Sequence, residues 1–260
     1  MMAYQTLLTE LAEGILTVTI NRPDKLNALN QQVLEELNQI LDDIYKDNAI
    51  KGVILTGSGP KAFVAGADIS GFLSVSGAEG ALLAKKGQDI FFKIENCPKP
   101  FVAAVNGFAL GGGCELAMSC HFRIASENAK FGQPEVNLGL IPGYGGTQRL
   151  TQLVGKGRAM ELMMTADMVD AATAHQIGLV NHVVPSEELF DFTIKSMEKI
   201  LSKSPVAIGK VIAAVNAAFD NTKNGYNEEI KLFGECFGTD DMKEGVTAFL
   251  EKRKATFSGK

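Results

Sequence analysis

Stretches with strand spacing and stretches with helix spacing alternate in the first part of the chain. Apolar residues at Leu16, Val18 and Ile20 alternate with threonines, which predicts a half-buried strand. Between positions 33 and 44, apolar residues recur at intervals of three, four and seven, so they share one face of a helix. A short apolar run at 52–56 predicts another strand. This order of strand, helix and strand favours an α/β fold.

Glycine-rich segments surround two carboxylates in the middle of the chain. An apolar run at 101–105 predicts a buried strand, and three glycines at 111–113 follow it where a helix begins with Glu115 in its first turn. Each glycine costs a helix about 1 kcal/mol against alanine, so the run indicates backbone N–H groups that a ligand approaches closely. Glu135 lies twenty residues further on, before a second glycine-rich turn at 141–150. Backbone donors beside two carboxylates can stabilise an oxyanion and move protons.

Each of these acids also has an ordinary structural explanation. Glu115 can be explained as a first-turn acid that favours the helix dipole, and Glu135 as a solvated loop charge. The two glycine-rich turns beside these acids favour the functional explanation for both. Asp68 resembles a helix N-cap. The three histidines are scattered, which favours packed or surface roles for His121, His175 and His182.

The remainder of the chain is predicted to be mostly helical. Serines and glycines at 70–90 dilute the apolar pattern and predict a loop that leads into a helix near 82–94. After Gly155 a short strand is expected at 179–184, and Thr239 is predicted to cap a helix. The predicted C-terminal helices are 157–165, 186–202, 205–218, 223–236 and 240–254.

Composition narrows the class of protein. The chain has 260 residues and a net charge of −5, with acids and bases interspersed, which makes nucleic acid an unsuitable partner. No apolar run approaches the ~20 residues of a membrane span, and the first residues lack signal-peptide features. Four cysteines without metal spacing are expected to be reduced, in the cytoplasm. Neither a phosphate-binding loop nor a Gly-x-Ser-x-Gly elbow occurs.

A set of short motifs spreads over nearly the whole chain. In chain order they are Asn21-Arg-Pro23, Asn27-Ala-Leu29, Ala65-Gly-Ala-Asp-Ile69, Asn106-Gly-Phe-Ala-Leu-Gly-Gly-Gly-Cys-Glu-Leu116, Phe131-Gly-Gln-Pro-Glu135, Ile141-Pro-Gly143, Gly145-Gly-Thr-Gln-Arg149, Asp240-Asp241 and Phe249-Leu-Glu-Lys-Arg-Lys254. With these motifs the chain resembles the enoyl-CoA hydratase (crotonase) family of the enoyl-CoA hydratase/isomerase superfamily.

The resemblance implies a fold and an assembly. The expected fold is a spiral of ββα units, with a helical trimerisation region at the C-terminus. Residues 1–200 would form the catalytic core, and residues 201–260 the region used in oligomerisation. The family is typically hexameric, built as a dimer of trimers.

The resemblance also implies site residues. The backbone N–H groups of Ala67 and Gly112 would form the oxyanion hole, and Gly143 would help to hold water. Glu115 would take the proton of the water, and Glu135 would deliver a proton to the α-carbon. Coenzyme A would be bound by residues of two segments, namely Ala65, Asp68, Ile69, Phe249 and Lys252.

The implied reaction is the reversible syn hydration of trans-2-enoyl-CoA thioesters to 3-hydroxyacyl-CoA, in fatty-acid β-oxidation or a related pathway. A short-chain substrate such as crotonyl-CoA is expected, and Tyr144 replaces a residue that is often smaller. No metal or redox cofactor is expected, because coenzyme A is part of the substrate.

Other functions of the same scaffold stay open at this point. The physiological direction can be dehydration, since a catalyst lowers the barrier both ways. An enoyl-CoA isomerase is the nearest alternative enzyme, although isomerases of the superfamily often keep only one of the two carboxylates. A non-catalytic relative that binds acyl-CoA or RNA is the alternative outside enzymes, and the net charge of −5 argues against RNA.

Overall fold

The computed structural model describes residues 4–260. Within that range, ten strands form one sheet of six and one of four. The strands are β1 (Leu7–Ala12), β2 (Ile15–Ile20), β3 (Gly52–Gly57), β4 (Ala62–Ala65), β5 (Phe101–Val105), β6 (Phe108–Leu110), β7 (Phe122–Ser126), β8 (Lys130–Gly132), β9 (Val169–Asp170) and β10 (His182–Val184).

Ten α-helices accompany the strands in the described part of the chain. They are α1 (Gln31–Lys46), α2 (Gly77–Glu95), α3 (Gly112–Ser119), α4 (Gly146–Val154), α5 (Lys156–Thr165), α6 (Ala171–Gln176), α7 (Leu189–Leu201), α8 (Pro205–Ala217), α9 (Gly225–Cys236) and α10 (Asp240–Leu250).

The chain moves between the two sheets at regular intervals. The larger sheet has the order β1-β2-β3-β5-β7-β10 and the smaller one β4-β6-β8-β9. Consecutive strands such as β3 and β4, or β5 and β6, therefore lie in different sheets, and a helix follows each pair. Neighbouring strands are parallel, except β1 with β2 and β8 with β9. Repetition of this unit produces the predicted spiral of ββα turns.

The main core lies between the sheets and the helices that cover them. The apolar face predicted for α1 is buried in this core. Phe63 of β4, Phe91 of α2 and Phe131 of β8 are fully buried there. A smaller cluster packs α7 against the other face of the larger sheet, through Met197 and Leu189.

Helix α2 begins earlier than the sequence pattern predicts. Its first residue is Gly77 rather than Leu82, because Ser76 and Glu79 form a reciprocal capping box. The preceding segment, predicted as a loop, contains a 3₁₀ helix at Ile69–Ser74, and Asp68 caps it as its sequence suggested.

The C-terminal third differs from prediction in its boundaries. The short strand spans only His182–Val184, and the six-residue helix α6 was not predicted. Helix α10 ends at Leu250 rather than at 254, because Lys252 adopts a left-handed backbone with φ of +56°. Arg253 then folds back onto Glu244 through two bonds of 2.7 and 2.8 Å. Thr239 caps α10 as predicted.

Apolar side chains of the last three helices are exposed on the single chain. This group consists of Val211, Val215, Tyr226, Ile230, Phe233, Phe237, Val246, Phe249 and Leu250. The predicted boundary at residue 200 falls at the end of α7, and the use of residues 201–260 in assembly stays a prediction.

Within residues 4–260, no single helix is long and apolar enough to cross a bilayer. The segments Ser186–Leu201 and Pro205–Ala217 reach that length and apolar composition only when they are taken together, and the chain bends by 103° between them.

Gly113 allows α3 to pack against β4. A Cβ atom at this position would overlap the backbone carbonyl oxygen of Val64, which cannot turn away. We expect Gly113→Ala to lower the free energy of unfolding by ~1–3 kcal/mol through overpacking. Gly157→Ala in α5 is the matched control, since nothing lies within 4 Å of its Cβ, and it should be neutral or stabilising by up to ~1 kcal/mol. Denaturant unfolding of both variants checks this, and equal stability of the two would contradict the packing account.

Candidate active site

Glu115 is buried at the start of α3, all of whose residues are buried. Gly111 precedes the helix with φ of +49°, a conformation that favours glycine. One carboxylate oxygen of Glu115, Oε1, accepts the backbone N–H groups of Tyr144 and Gly146, each at 2.7 Å. These short bonds tie the first carboxylate to the second glycine-rich turn.

Burial raises the pKa of Glu115 to about 7. The N–H groups of Gly146 and Tyr144 and the charge of Arg149 act in the opposite direction, whereas the negative charge of Glu135 raises the pKa further. Desolvation therefore outweighs the hydrogen bonds. A carboxyl group with a pKa near neutral pH can both accept and release a proton under physiological conditions.

Glu135 is the first residue of a 3₁₀ helix, Glu135–Leu138, that follows β8. It is half-buried, and burial raises its pKa. A Cβ atom on Gly111 would lie 2.8 Å from its Oε1, so the carboxylate lies directly over the glycine that precedes α3. The structure therefore brings both predicted glutamates to the same helix start.

Gln133 is a site residue that was not singled out from the sequence. With its amide nitrogen facing Glu135, it donates to both carboxylate oxygens at 3.1 Å. Its side chain is buried and also lies beside Gly146, the turn that binds Glu115. The sequence feature that could have identified Gln133 was its position two residues before Glu135, in a segment that contains glycine and proline.

The predicted oxyanion donors lie at the ends of two neighbouring parallel strands. Ala65 of β4 pairs with Leu110 of β6, and Ala67 and Gly112 each lie two residues beyond this pair. Gly112 is the first residue of α3, so its N–H has no partner within the helix. Both groups therefore lie at the same edge of the smaller sheet, beside the helix start that carries Glu115.

The bonds around Ala67 leave its N–H available. Leu29 joins this segment by donating to the carbonyl of Gly66 and accepting from the N–H of Asp68, at 2.9 and 2.8 Å. The N–H of Ala67 lies between these two bonds and takes part in neither. The arrangement fits a donor kept for a ligand, and that role stays a prediction.

Tyr144 fills space beside the start of α3. Its ring contacts Phe91 edge-on, with centroids 5.6 Å apart, and it leaves no room for a Cβ on Gly87. A Cβ on Gly112 would lie 3.5 Å from the same ring. The ring thus forms a wall next to the predicted oxyanion donor. Gly143, the predicted water-positioning residue, accepts a bond of 2.9 Å at its carbonyl from Gln88.

Three of the predicted coenzyme A contacts lie together after β4. Ala65 donates its N–H to the carbonyl of Leu26 at 3.0 Å. Asp68 forms an ion pair with Arg22 at 3.1 Å, and its pKa is lowered by its bonds to Ser70 and Arg22. Ile69 is exposed.

Phe249 and Lys252 are exposed at the end of α10. Within residues 4–260, no hydrogen bond, ion pair or ring contact joins either of them to segment 65–69. Their contact with the nucleotide stays a prediction. In the same range, no group of three or more His, Cys, Asp or Glu side chains is placed to hold a metal ion.

Comparison with known proteins identifies the family. The family model described as enoyl-CoA hydratase/isomerase matches residues 10–260. The chain belongs to this family. It is 50% identical to the crotonyl-CoA hydratase of Syntrophomonas wolfei over 260 residues, with all of both chains covered. It is 48% identical to the short-chain-enoyl-CoA hydratase of Clostridium acetobutylicum over 254 residues, or 97% of each chain.

Solved structures of the enoyl-CoA hydratase/isomerase family have the same fold. The crystal structure of an enoyl-CoA hydratase from Bacillus anthracis superposes with a TM-score of 0.93 at 37% identity, and covers 98% of this chain and 100% of that one. The resemblance inferred from the motifs and the predicted crotonase-type fold are both confirmed.

The raised pKa of Glu115 predicts a pH-dependent cost to stability. Its folded pKa of about 7 exceeds the ordinary value of 4.5, so the folded state binds more protons between these limits. The contribution of Glu115 to stability is therefore greatest below pH 4.5 and is lost as pH rises through 7. The side chain in Glu115→Gln stays neutral at every pH. We expect the free energy of unfolding of this variant, relative to that of wild type, to increase by on the order of 3 kcal/mol between pH 4 and pH 8.

Denaturant unfolding of both proteins at several pH values, at one protein concentration, measures this difference. Glu187→Gln, which alters an exposed first-turn acid, is the control and should parallel wild type. Parallel curves for wild type and Glu115→Gln would show that burial does not perturb Glu115.

Proposed function

We propose that the protein catalyses the reversible hydration of trans-2-enoyl-CoA thioesters to 3-hydroxyacyl-CoA. The observation that carries this proposal is the placement of Glu115 and Glu135 around the glycine-rich start of α3. Burial raises the pKa of both carboxyl groups. Two such groups beside free backbone N–H donors provide the proton acceptor, the proton donor and the oxyanion site that hydration requires.

The oxyanion site would activate the substrate. The N–H groups of Ala67 and Gly112 would donate to the thioester carbonyl oxygen, which draws electrons from the double bond and makes the β-carbon electrophilic. Their placement at one edge of the smaller sheet supports this role. Loss of one such donor typically removes ~3–4 kcal/mol of transition-state stabilisation.

The two glutamates would then move the protons. Water attacks the β-carbon while Glu115 takes its proton, and the Tyr144 and Gly146 N–H groups hold the carboxylate in place. Glu135, protonated beforehand, gives a proton to the α-carbon as the enolate collapses, and Gln133 stabilises the carboxylate that remains. One water adds across the double bond, and no metal or redox cofactor enters the scheme. Gly143 would help to hold the water.

Short-chain substrates, crotonyl-CoA above all, are the proposed class. The ring of Tyr144 narrows the space beside Gly112 and Phe91. The names of two relatives about half identical to this chain, crotonyl-CoA hydratase and short-chain-enoyl-CoA hydratase, support the same class. Both catalytic carboxylates are present, which favours hydration or its reverse over isomerisation in fatty-acid metabolism. The four free cysteines support a reducing compartment such as the cytoplasm.

The glutamate pair gives the direct test of this function. Hydration of crotonyl-CoA, followed as loss of the enoyl-thioester absorbance, should be rapid in wild type. We expect Glu115→Gln and Glu135→Gln each to lower kcat by ~10²–10⁴-fold, because a positioned acid or base contributes that much. The double variant should lose less than the product of the two, since both groups act on one water. KM should change little.

Glu187→Gln is the matched control and should keep wild-type kcat. An inactive wild type would reject the proposed reaction. If Glu135→Gln alone kept more than about a tenth of wild-type kcat, a smaller loss than a positioned acid should give, the one-carboxylate isomerase assignment would replace hydration.

We also propose that the protein assembles as a trimer or a dimer of trimers through residues 201–260. Eight large apolar side chains on α8, α9 and α10, together with Phe237 directly after α9, are exposed in the single chain, and an apolar surface of this extent is unusual for a monomer. Phe233 and Phe237 form an edge-on pair 5.3 Å apart within it. The nucleotide contacts proposed for Phe249 and Lys252 depend on this assembly.

Light scattering should therefore give a mass of three or six chains at micromolar concentration. Phe233→Asp should dissociate the assembly, because it places an unpaired charge in the buried interface. Leu8→Asp, at an exposed position of β1, is the control and should leave the mass unchanged. A monodisperse wild-type monomer would contradict the proposal.

A further inference from the structure

Arg149 is a buried cation that the reaction scheme does not use. It lies on α4 with 4% of its surface exposed. Its Nε and Nη2 donate to Oε2 of Glu95 at 3.1 and 2.7 Å, and its Nη1 donates to the carbonyl of Tyr144 at 2.8 Å. The guanidinium also stacks over the ring of Phe92, 5.0 Å from its centroid. A buried charge with this many directed contacts holds its partners in one geometry.

One of those partners belongs to the turn that binds Glu115. The carbonyl held by Arg149 and the N–H that donates to Glu115 are both on Tyr144. Gly145 follows with φ of +104°, and a Cβ there would overlap Nη1 of Arg149. The guanidinium therefore packs against the inside of the turn, whose other donor is the N–H of Gly146.

Glu95, the other partner of Arg149, is held by residues that lie outside the site. Glu95 is the last residue of α2, and its backbone carbonyl accepts from Asn216 of α8 at 2.7 Å. His121 places its Nε2 3.2 Å from the same carbonyl. These contacts fix the position of the turn relative to α2 and α8, which lie outside the glycine-rich segments.

We propose that Arg149 is a positioning residue, which holds the Tyr144–Gly146 turn so that its two N–H groups stay on the Glu115 carboxylate. The proposal rests on the function assigned above to Glu115. It predicts that Arg149 acts on catalysis only through Glu115 and does not bind the substrate.

Four titratable or charged groups face Glu115 from the elements packed around it. They are Glu135 from the 3₁₀ helix, Arg149 from α4, Tyr144 from the turn and Cys114 from α3 itself. Of these four groups, Arg149 lowers the pKa of Glu115 through its charge, and the backbone N–H groups of the turn lower it as well. Removing Arg149 weakens both influences, so the midpoint of Glu115 titration should move to higher pH.

The test compares Arg149→Met and Arg149→Lys with Arg123→Met. Arg123 is the matched control, because it is equally buried and, within residues 4–260, its guanidinium donates to the carbonyls of Leu179 and Cys120 and not to the turn. Isotope-edited infrared spectra of the glutamate carboxyl band, assigned with Glu115→Gln, give the midpoint of Glu115 without reference to activity. Crotonyl-CoA hydration by the same proteins gives kcat, KM and their pH dependence.

Arg149→Met should raise the Glu115 midpoint, move the acid limb of the kcat profile in the same direction and lower kcat by ~10²-fold with little change in KM, as expected for a misplaced catalytic group. Arg149→Lys should recover part of both effects, since it keeps the charge but loses the planar fork. Arg123→Met should lose stability and leave the midpoint unchanged.

A midpoint that coincides with wild type in folded Arg149→Met would overturn the proposal and leave Arg149 a purely structural residue. If Arg149→Met does not fold, the same measurements on Arg149→Lys decide. An unchanged Glu115 midpoint together with an unchanged kcat in that variant would reject the proposal that Arg149 is a positioning residue. An inactive wild type would reject the proposed reaction, while the infrared midpoints would still decide the role of Arg149.

Discussion

The contact between the Glu115 carboxylate and two N–H groups of the Tyr144–Gly146 turn determines how the rest of the site is arranged. An ionised carboxylate buried without partners would cost several kcal/mol, so helix α3 and the turn have to be placed together. Glycine at 145 permits the left-handed backbone that points both N–H groups the same way. Glycine at 146 leaves room for Gln133 and Glu115 on the same side.

The ββα repeat explains why residues distant in sequence meet at this point. Strands β4, β6 and β8 are parallel neighbours in the smaller sheet, so the segments that follow them leave from one edge. Ala67 follows β4, Gly112 follows β6 and Glu135 follows β8. Each of three successive repeats thus supplies one part of the site, while the larger sheet and α1 provide the apolar support.

Periodicity was enough to predict the long elements, whereas Glu115 and Glu135 were singled out by the glycine-rich segments beside them, and their catalytic role stays a prediction. Helix α1 and strands β2, β3 and β5 have clear apolar patterns, and the glycine run at 111–113 marked the start of α3. The segment at 141–150 was predicted only as a turn, so the start of α4 at Gly146 was missed. Strands β6, β8 and β9 have three residues or fewer, too few for a pattern to be recognised. The pair of Glu95 and Arg149 spans 54 positions and depends on how α2 and α4 pack, which no local pattern records. Gln133 lies in the motif 131–135, but its hydrogen bond to Glu135 depends on the turn that Pro134 makes.

The direction of the Glu115 pKa shift shows which physical effect dominates in the site. Two or three backbone N–H bonds to a carboxylate favour its charged form and by themselves lower its pKa. Here two such bonds of 2.7 Å are present and the pKa is still raised to about 7. Desolvation, with the nearby charge of Glu135, therefore exceeds the effect of both bonds. Burial of this group lowers the stability of the fold. It also makes the carboxyl change protonation state near neutral pH, where a general acid or base works best. A more solvated Glu115 would give a more stable protein with a weaker base.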